Sequence, residues 1–227
     1  MADKKISIAI DGPSGAGKST IAKGVASKLG FIYVDTGAVY RAVGYFAFGR
    51  GISRSEIEKV IPFLNDVHLE LKYDSEGTQQ VILNGENVSD KIRLPEISLY
   101  ASDVSKLPAV REFLLDMQRQ MAEKYNVIMD GRDIGTVVLP DADVKIFLTA
   151  TVEDRARRRC EELRLRGNVT SYEEVLKDME YRDEQDSRRA TAPLAAAEDA
   201  VILDTTGNSF EKSLDIVTKT VMEKLKK

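Results

Sequence analysis

The stretch Gly12-Pro13-Ser14-Gly15-Ala16-Gly17-Lys18-Ser19 constrains this chain more than any other feature. It has the spacing G-x-x-x-x-G-K-S/T. It follows a short apolar run, Ile6-Ser7-Ile8-Ala9-Ile10, and precedes a helical pattern in which Ile21, Val25 and Leu29 recur every four residues, with Gly30 as the stop. Strand, glycine loop and helix in that order form the context in which this pattern cradles phosphate. Glycines let the backbone curl so that several N–H groups point at one anion. The helix aims its N-terminus at the same charge. The candidate triphosphate-binding residues are Gly12, Pro13, Ser14, Gly15, Ala16, Gly17, Lys18, Ser19 and Thr20. Lys18 can reach the β- and γ-phosphates, and the Ser19 hydroxyl can serve Mg²⁺.

Further strands are expected at Phe31-Ile32-Tyr33-Val34, Val127-Ile128-Met129, Val144-Lys145-Ile146-Phe147-Leu148 and Ala200-Val201-Ile202-Leu203. Helical patterns separate most of them, and 210–226 reads as a closing amphipathic helix. The alternation predicts an α/β fold: a parallel sheet of about five strands with helices on both faces. Ligands of such sheets bind beyond the carboxyl ends of the strands, where Asp11-Gly12, Asp35-Thr36-Gly37 and Asp130-Gly131 fall. Asp130 is a candidate to orient water around a bound Mg²⁺; the other reading is a turn-forming Asp before glycine.

Two stretches break the alternation. In the first, Val67, Leu69 and Leu71 alternate, Asp74 to Gly77 turns, Val81-Ile82-Leu83 follows, and Asn84-Gly85 signals a hairpin. A small antiparallel sheet is expected there. The second, 152–189, is highly charged and expected to be helical. It holds nine of the sixteen arginines, Arg155, Arg157, Arg158, Arg159, Arg164, Arg166, Arg182, Arg188 and Arg189, among at least as many acids.

Composition narrows the class. A net charge of −4 argues against a general nucleic-acid coat. The lone Cys160 excludes a disulfide framework, and the lone His68 has no second metal ligand near it. No apolar run approaches 18 residues, and the polar start at Met1 leads straight into a strand. A cytosolic monomer that binds neither membrane nor nucleic acid is expected. A guanine-reading N-K-x-D is absent, and Asp204-Thr205-Thr206-Gly207 comes too late in the chain to sense a γ-phosphate. A phosphotransferase is therefore favoured over a nucleotide-driven switch.

A second anion near the loop would need a fork of donors such as Arg41, because guanidinium holds phosphate through two hydrogen bonds. Arg132 stands at the end of a neighbouring strand and Arg111 near a helix start. With these, the segments Asp11 to Lys18, Asp35-Thr36-Gly37-Ala38-Val39-Tyr40-Arg41, Asp130-Gly131-Arg132-Asp133-Ile134-Gly135-Thr136-Val137-Val138, and Arg182-Asp183-Glu184 through Ala192-Pro193-Leu194 together resemble the bacterial cytidylate kinases. The resemblance spans essentially the whole chain.

The resemblance implies transfer of the γ-phosphoryl of ATP to CMP or dCMP, with Mg²⁺. It implies a core of residues 1–40, 95–151 and 190–227, a monophosphate-binding insert at 41–94 carrying the small sheet, and a helical lid at 152–189. Thr36, Tyr40 and Arg41 would hold CMP, with Arg132 on its phosphate. Ser102, Arg111 and Asp133 would surround the cytosine, and Arg182, Asp186 and Arg189 would close over sugar and phosphate. The last three are spaced i, i+4, i+7, as on one helix face. Lys18, Arg132, Arg155, Arg159 and Arg182 are the candidates to neutralise the transferred group. A kinase of UMP, AMP or another small acceptor is the remaining alternative.

Overall fold

The computed structural model describes residues 4–165, 167–168 and 170–226. The polar start at Met1 and Arg166 of the charged stretch lie outside the described residues. The chain forms two compact units. One comprises Met1–Ile32 and Tyr125–Lys227, the other Tyr33–Lys124.

The first unit is built on strand β1 (Ser7–Asp11), whose Ile8, Ala9 and Ile10 are fully buried, as a central parallel strand requires. Helix α1 (Lys18–Leu29) follows and ends where Gly30 adopts a left-handed conformation (φ 68°) and donates its N–H to the Ala26 carbonyl. Strand β2 (Ile32–Asp35) begins in this unit and leads into the second. The parallel sheet has the order β2-β6-β1-β7-β8, with β6 at Val127–Gly131, β7 at Val144–Thr149 and β8 at Val201–Asp204. Asp11 is level with Gly131 on one side and Phe147 on the other. The loops that carry Gly12, Arg132 and Ala150 therefore leave one sheet edge side by side. Helices α5 (Val152–Leu165), α6 (Tyr172–Arg188) and α7 (Phe210–Leu225) complete the unit. Helix α6 opens with a reciprocal cap: Ser171 accepts from the Glu174 N–H and Glu174 reaches back to the Ser171 N–H.

The second unit opens with α2 (Thr36–Gly49), then a tight 3₁₀ stretch at Arg54–Asp66. An antiparallel sheet β3-β4-β5 follows (Leu69–Tyr73, Gln79–Leu83, Glu86–Asn87). Asn84 and Gly85 both have positive φ (50° and 85°), as an Asn-Gly hairpin turn demands. Helices α3 (Pro95–Val104) and α4 (Pro108–Lys124) close the unit. Val39, Ala42 and Val43 of α2 share one apolar core with Ile97 and Tyr100 of α3, Val110 and Leu114 of α4, and Val81 and Leu83 of β4.

Helices α2 and α3 pack closely because α2 carries Gly44 at their contact. A Cβ there would lie 2.9 Å from the Ala101 nitrogen and 3.0 Å from the Tyr100 Cβ. Backbone cannot yield as a side-chain tip can. Gly44→Ala is therefore expected to destabilise the second unit by about 1–3 kcal/mol, the usual cost of overpacking, measured by urea unfolding.

Candidate active site

Gly12 begins the loop with φ 148°, and a Cβ on it would fall 1.9 Å from the Leu148 carbonyl oxygen. Only glycine fits between β1 and β7 at that point. Gly17 (φ 84°) ends the loop and, having no side chain, leaves the N-terminus of α1 without a side-chain cap. Those N–H groups suit an anion. Lys18 is buried, and its Nζ donates to the Pro13 carbonyl at 2.7 Å across the loop. Burial first, then the nearby Arg132 guanidinium, pushes its ammonium down to about 7, against the pull of Asp130, Asp11 and Asp186. Ser19 donates its hydroxyl to Asp130 Oδ2 at 2.7 Å, so the last loop residue meets the carboxylate at the end of β6.

Asp11 joins the two segments from the other side. Its Oδ1 accepts from the Ile134 N–H at 2.8 Å and its Oδ2 from the Gly135 N–H at 2.7 Å. Burial raises its carboxyl to about 6, partly offset by these two hydrogen bonds. The residue before the phosphate loop thus anchors the turn Ile134–Val138, which follows Arg132 and Asp133. Arg132 donates from Nε to Asp186 Oδ2 at 2.7 Å and from Nη1 to the Gly131 carbonyl at 3.2 Å. Asp133 pairs with Arg189 Nη2 at 3.2 Å, and both side chains are almost wholly enclosed.

The charged helices divide into buried and exposed partners. Arg155 is buried. It donates to the Ala150 carbonyl (2.9 Å), to the Ser14 carbonyl in the phosphate loop (2.8 Å) and to Asp183 Oδ2 (2.5 Å). It braces the phosphate loop through the Ser14 carbonyl. Arg159 pairs with Glu162, and Arg182 with Asp178 one turn back on α6. Helix α6 stops at Arg188. Arg189 caps the helix end (φ −61°, ψ 138°), and its extended ψ redirects the chain that follows; Asp186 and Arg189 bond the adjacent residues Arg132 and Asp133. The chain turns there because Leu194 donates its N–H to the Asp186 carbonyl while Arg189 reaches the Ala192 carbonyl.

In the second unit Asp35 caps α2, its Oδ1 accepting from the Ala38 N–H at 3.0 Å, while its Oδ2 lies 3.4 Å from Arg41 Nη1. A side chain at Gly37 would crowd this pair, since a Cβ would stand 3.2 Å from Asp35 Oδ1 and 3.4 Å from Arg41 Nη2. Thr36 is buried at the helix start. The Arg111 guanidinium lies over the Tyr40 ring, 5.6 Å from its centroid, and donates to the Ser105 carbonyl at 3.4 Å. The Ser105 hydroxyl bonds the Ser102 carbonyl at 2.8 Å. Tyr40, Ser102 and Arg111 are thus linked, and Arg41 sits one residue beyond Tyr40.

A family model described as cytidylate kinase matches residues 8–225. The chain belongs to the cytidylate kinase family. A cytidylate kinase of Caldicellulosiruptor saccharolyticus is 51% identical over 214 residues, covering 94% of each chain. One of Bacillus subtilis is 46% identical over 222 residues, covering 98% of this chain and 99% of its own. A solved structure of an uncharacterized protein from Eubacterium ventriosum shares the fold alone, with a TM-score of 0.54 at 13% identity over 97% of this chain and 99% of its own.

For a cytidylate kinase, the state of Lys18 has a measurable consequence. With its ammonium held near 7, Lys18 is mostly neutral without nucleotide at about pH 8; polyphosphate beside it favours the charged form. ATP binding at about pH 8 is expected to take up close to one proton, and much less at about pH 6, where Lys18 is already charged. Calorimetry in buffers of different ionisation enthalpy measures this, and Lys18→Met should abolish the difference.

Sequence reasoning passed over the structural duties of Asp11, Gly37 and Gly44. Each depends on a contact with backbone or side chain that leaves no periodic trace.

Proposed function

We infer that this chain is an ATP-dependent kinase that transfers the γ-phosphoryl group of ATP to CMP. The observation that carries this reading is the family match over residues 8–225, on a chain whose phosphate loop holds Lys18 and Ser19 in place. A kinase of UMP or AMP, or a nucleotide-driven switch, is not favoured.

Phosphoryl transfer is mostly positioning and charge neutralisation. The acceptor is already an anionic phosphate oxygen, so no general base is required. We propose that Gly12 to Thr20 hold the ATP phosphates and that Lys18 exchanges its bond to Pro13 for one to a phosphate oxygen. Arg132, Arg155, Arg159 and Arg182 supply further positive charge, and Arg155 also keeps the loop in shape. Thr36, Tyr40, Arg41, Ser102, Arg111, Arg132, Asp133, Arg182, Asp186 and Arg189 contact CMP. The surface ion pairs of Arg159 and Arg182 give way when a phosphate arrives, since exposed pairs of this kind are worth only about 0–1 kcal/mol. Residues 152–189 act as the lid, 41–94 as the monophosphate insert, and 1–40, 95–151 and 190–227 as the core.

The site suits Mg²⁺. Ser19 Oγ and Asp130 Oδ2 are hard oxygen donors 2.7 Å apart at the phosphate loop. Among the described residues no group of three or more His, Cys, Asp or Glu could hold a metal alone. Mg²⁺ usually takes one or two protein oxygens with water and substrate phosphates. Bound there, it would neutralise phosphate charge. We propose a cytosolic monomer that engages neither nucleic acid nor membrane; no described helix is long and apolar enough to cross one.

A coupled ADP-release assay over CMP, dCMP, UMP, AMP and GMP tests the assignment. CMP and dCMP are expected to give the highest kcat/KM. ADP release that ignores CMP but responds to another monophosphate would overturn it.

A further inference from the structure

Strand β2 lies at the end of the sheet order, so one row of its backbone groups has no neighbouring strand. Such groups need partners when they are enclosed. Within the second unit, two side chains supply them. Gln79 accepts from the Asp35 N–H at 2.9 Å through Oε1 and donates to the Asp35 carbonyl at 3.3 Å through Nε2. The Tyr73 hydroxyl donates to the Tyr33 carbonyl at 3.1 Å. Residues 33 and 35 present their backbone groups on the same side of a strand, two apart. Tyr73 and Gln79 are direct cross-strand partners in the β3–β4 ladder. The small sheet therefore covers the last stretch of β2 with side chains in place of a strand.

What these bonds hold is the start of α2. Asp35 gives its N–H and carbonyl to Gln79, one carboxylate oxygen to the Ala38 N–H, and the other to Arg41. These contacts of one residue link the small sheet, through Gln79, to the helix that carries Thr36, Tyr40 and Arg41.

We propose that Gln79, with Tyr73 beside it, is a positioning residue for the acceptor nucleotide: it clamps the Asp35 backbone and so sets the direction of Arg41. This rests on the reading that the start of α2 binds CMP. It assigns the small sheet a task in acceptor affinity without placing any of its side chains against CMP.

The test is steady-state kinetics on Gln79→Ala, Gln79→Glu, Arg41→Ala and the Gln79→Ala/Arg41→Ala double variant, with thermal unfolding recorded for each. Gln79→Ala should raise the KM for CMP about tenfold, as loss of a bonded amide that acts on binding would, with kcat and the KM for ATP within about twofold. Gln79→Glu keeps the length but cannot donate to the Asp35 carbonyl. It should raise the KM for CMP at least as far, and it serves if the alanine variant does not fold. Because Gln79 acts through Arg41, the double variant should bind CMP no worse than Arg41→Ala alone. If Arg41→Ala raises the KM for CMP while both Gln79 variants leave it unchanged, the clamp is refuted and the acceptor reading stands. If Gln79→Ala lowers kcat and weakens ATP and CMP together, its role is general stability and the proposal fails. If Arg41→Ala itself leaves the KM for CMP unchanged, the acceptor reading falls and the proposal with it.

Discussion

Turnover of Lys18→Met should fall about 10³-fold or more, with CMP affinity held within about twofold. Lys18 is the cation built into the phosphate loop. Its Nζ is enclosed and bonded to Pro13, in the loop itself, so no rearrangement of other elements is needed to present it. A donor fixed in advance loses little free energy to reorganisation when charge develops on the transferred group. Methionine keeps the stem and its packing but removes the charge. It also removes the burial cost that pushes the Lys18 ammonium down, so folding should not suffer. Lys18→Arg should rescue little, because a planar fork does not reproduce the compact point charge of a buried ammonium. A methionine variant that kept more than about a tenth of normal turnover would remove Lys18 from the chemistry.

Gly12→Ala should destabilise the loop-bearing unit by more than about 3 kcal/mol and abolish ATP binding. The obstacle is the Leu148 carbonyl, 1.9 Å from the added Cβ. That carbonyl belongs to β7, which pairs with β1 on one side and β8 on the other. It cannot retreat without opening the sheet. Gly30→Ala is the control. Gly30 also has positive φ (68°), but nothing lies within 4 Å of its added Cβ. Its cost is conformational alone, about 1–2 kcal/mol, or a fall of about 2–8 °C in Tm. If the two variants lost equal stability, steric exclusion at Gly12 would be the wrong account.

How much of this was written in the sequence differs from element to element. The strands and the phosphate loop are legible because an apolar run followed by glycine leaves few alternatives. Asn84-Gly85 is legible because only such residues adopt two consecutive left-handed conformations cheaply, and both do so here. The charged stretch at 152–189 is legible as helix, but not the fate of its arginines. Arg155 and Arg159 lie four apart on α5, yet one is buried against Ser14 while the other pairs with Glu162. Spacing gives the face; what covers the face depends on an element 141 residues away. Asp11 is similar: nothing at the end of its strand announces its structural duty until its partners at 134 and 135 are known. Gln79 sits in a strand of ordinary alternation, and nothing local marks it as the partner of Asp35. The turn after α6 is not legible either: Arg189 bonds the Ala192 carbonyl and Leu194 the Asp186 carbonyl, contacts that no spacing announces.

The most direct measurement follows the phosphorus atom. Incubation with γ-labelled ATP and CMP should place the label in CDP at the β-position, one labelled CDP for each ADP formed. Label released as inorganic phosphate at a rate indifferent to CMP would contradict the account, because the chain would then cleave ATP without an acceptor.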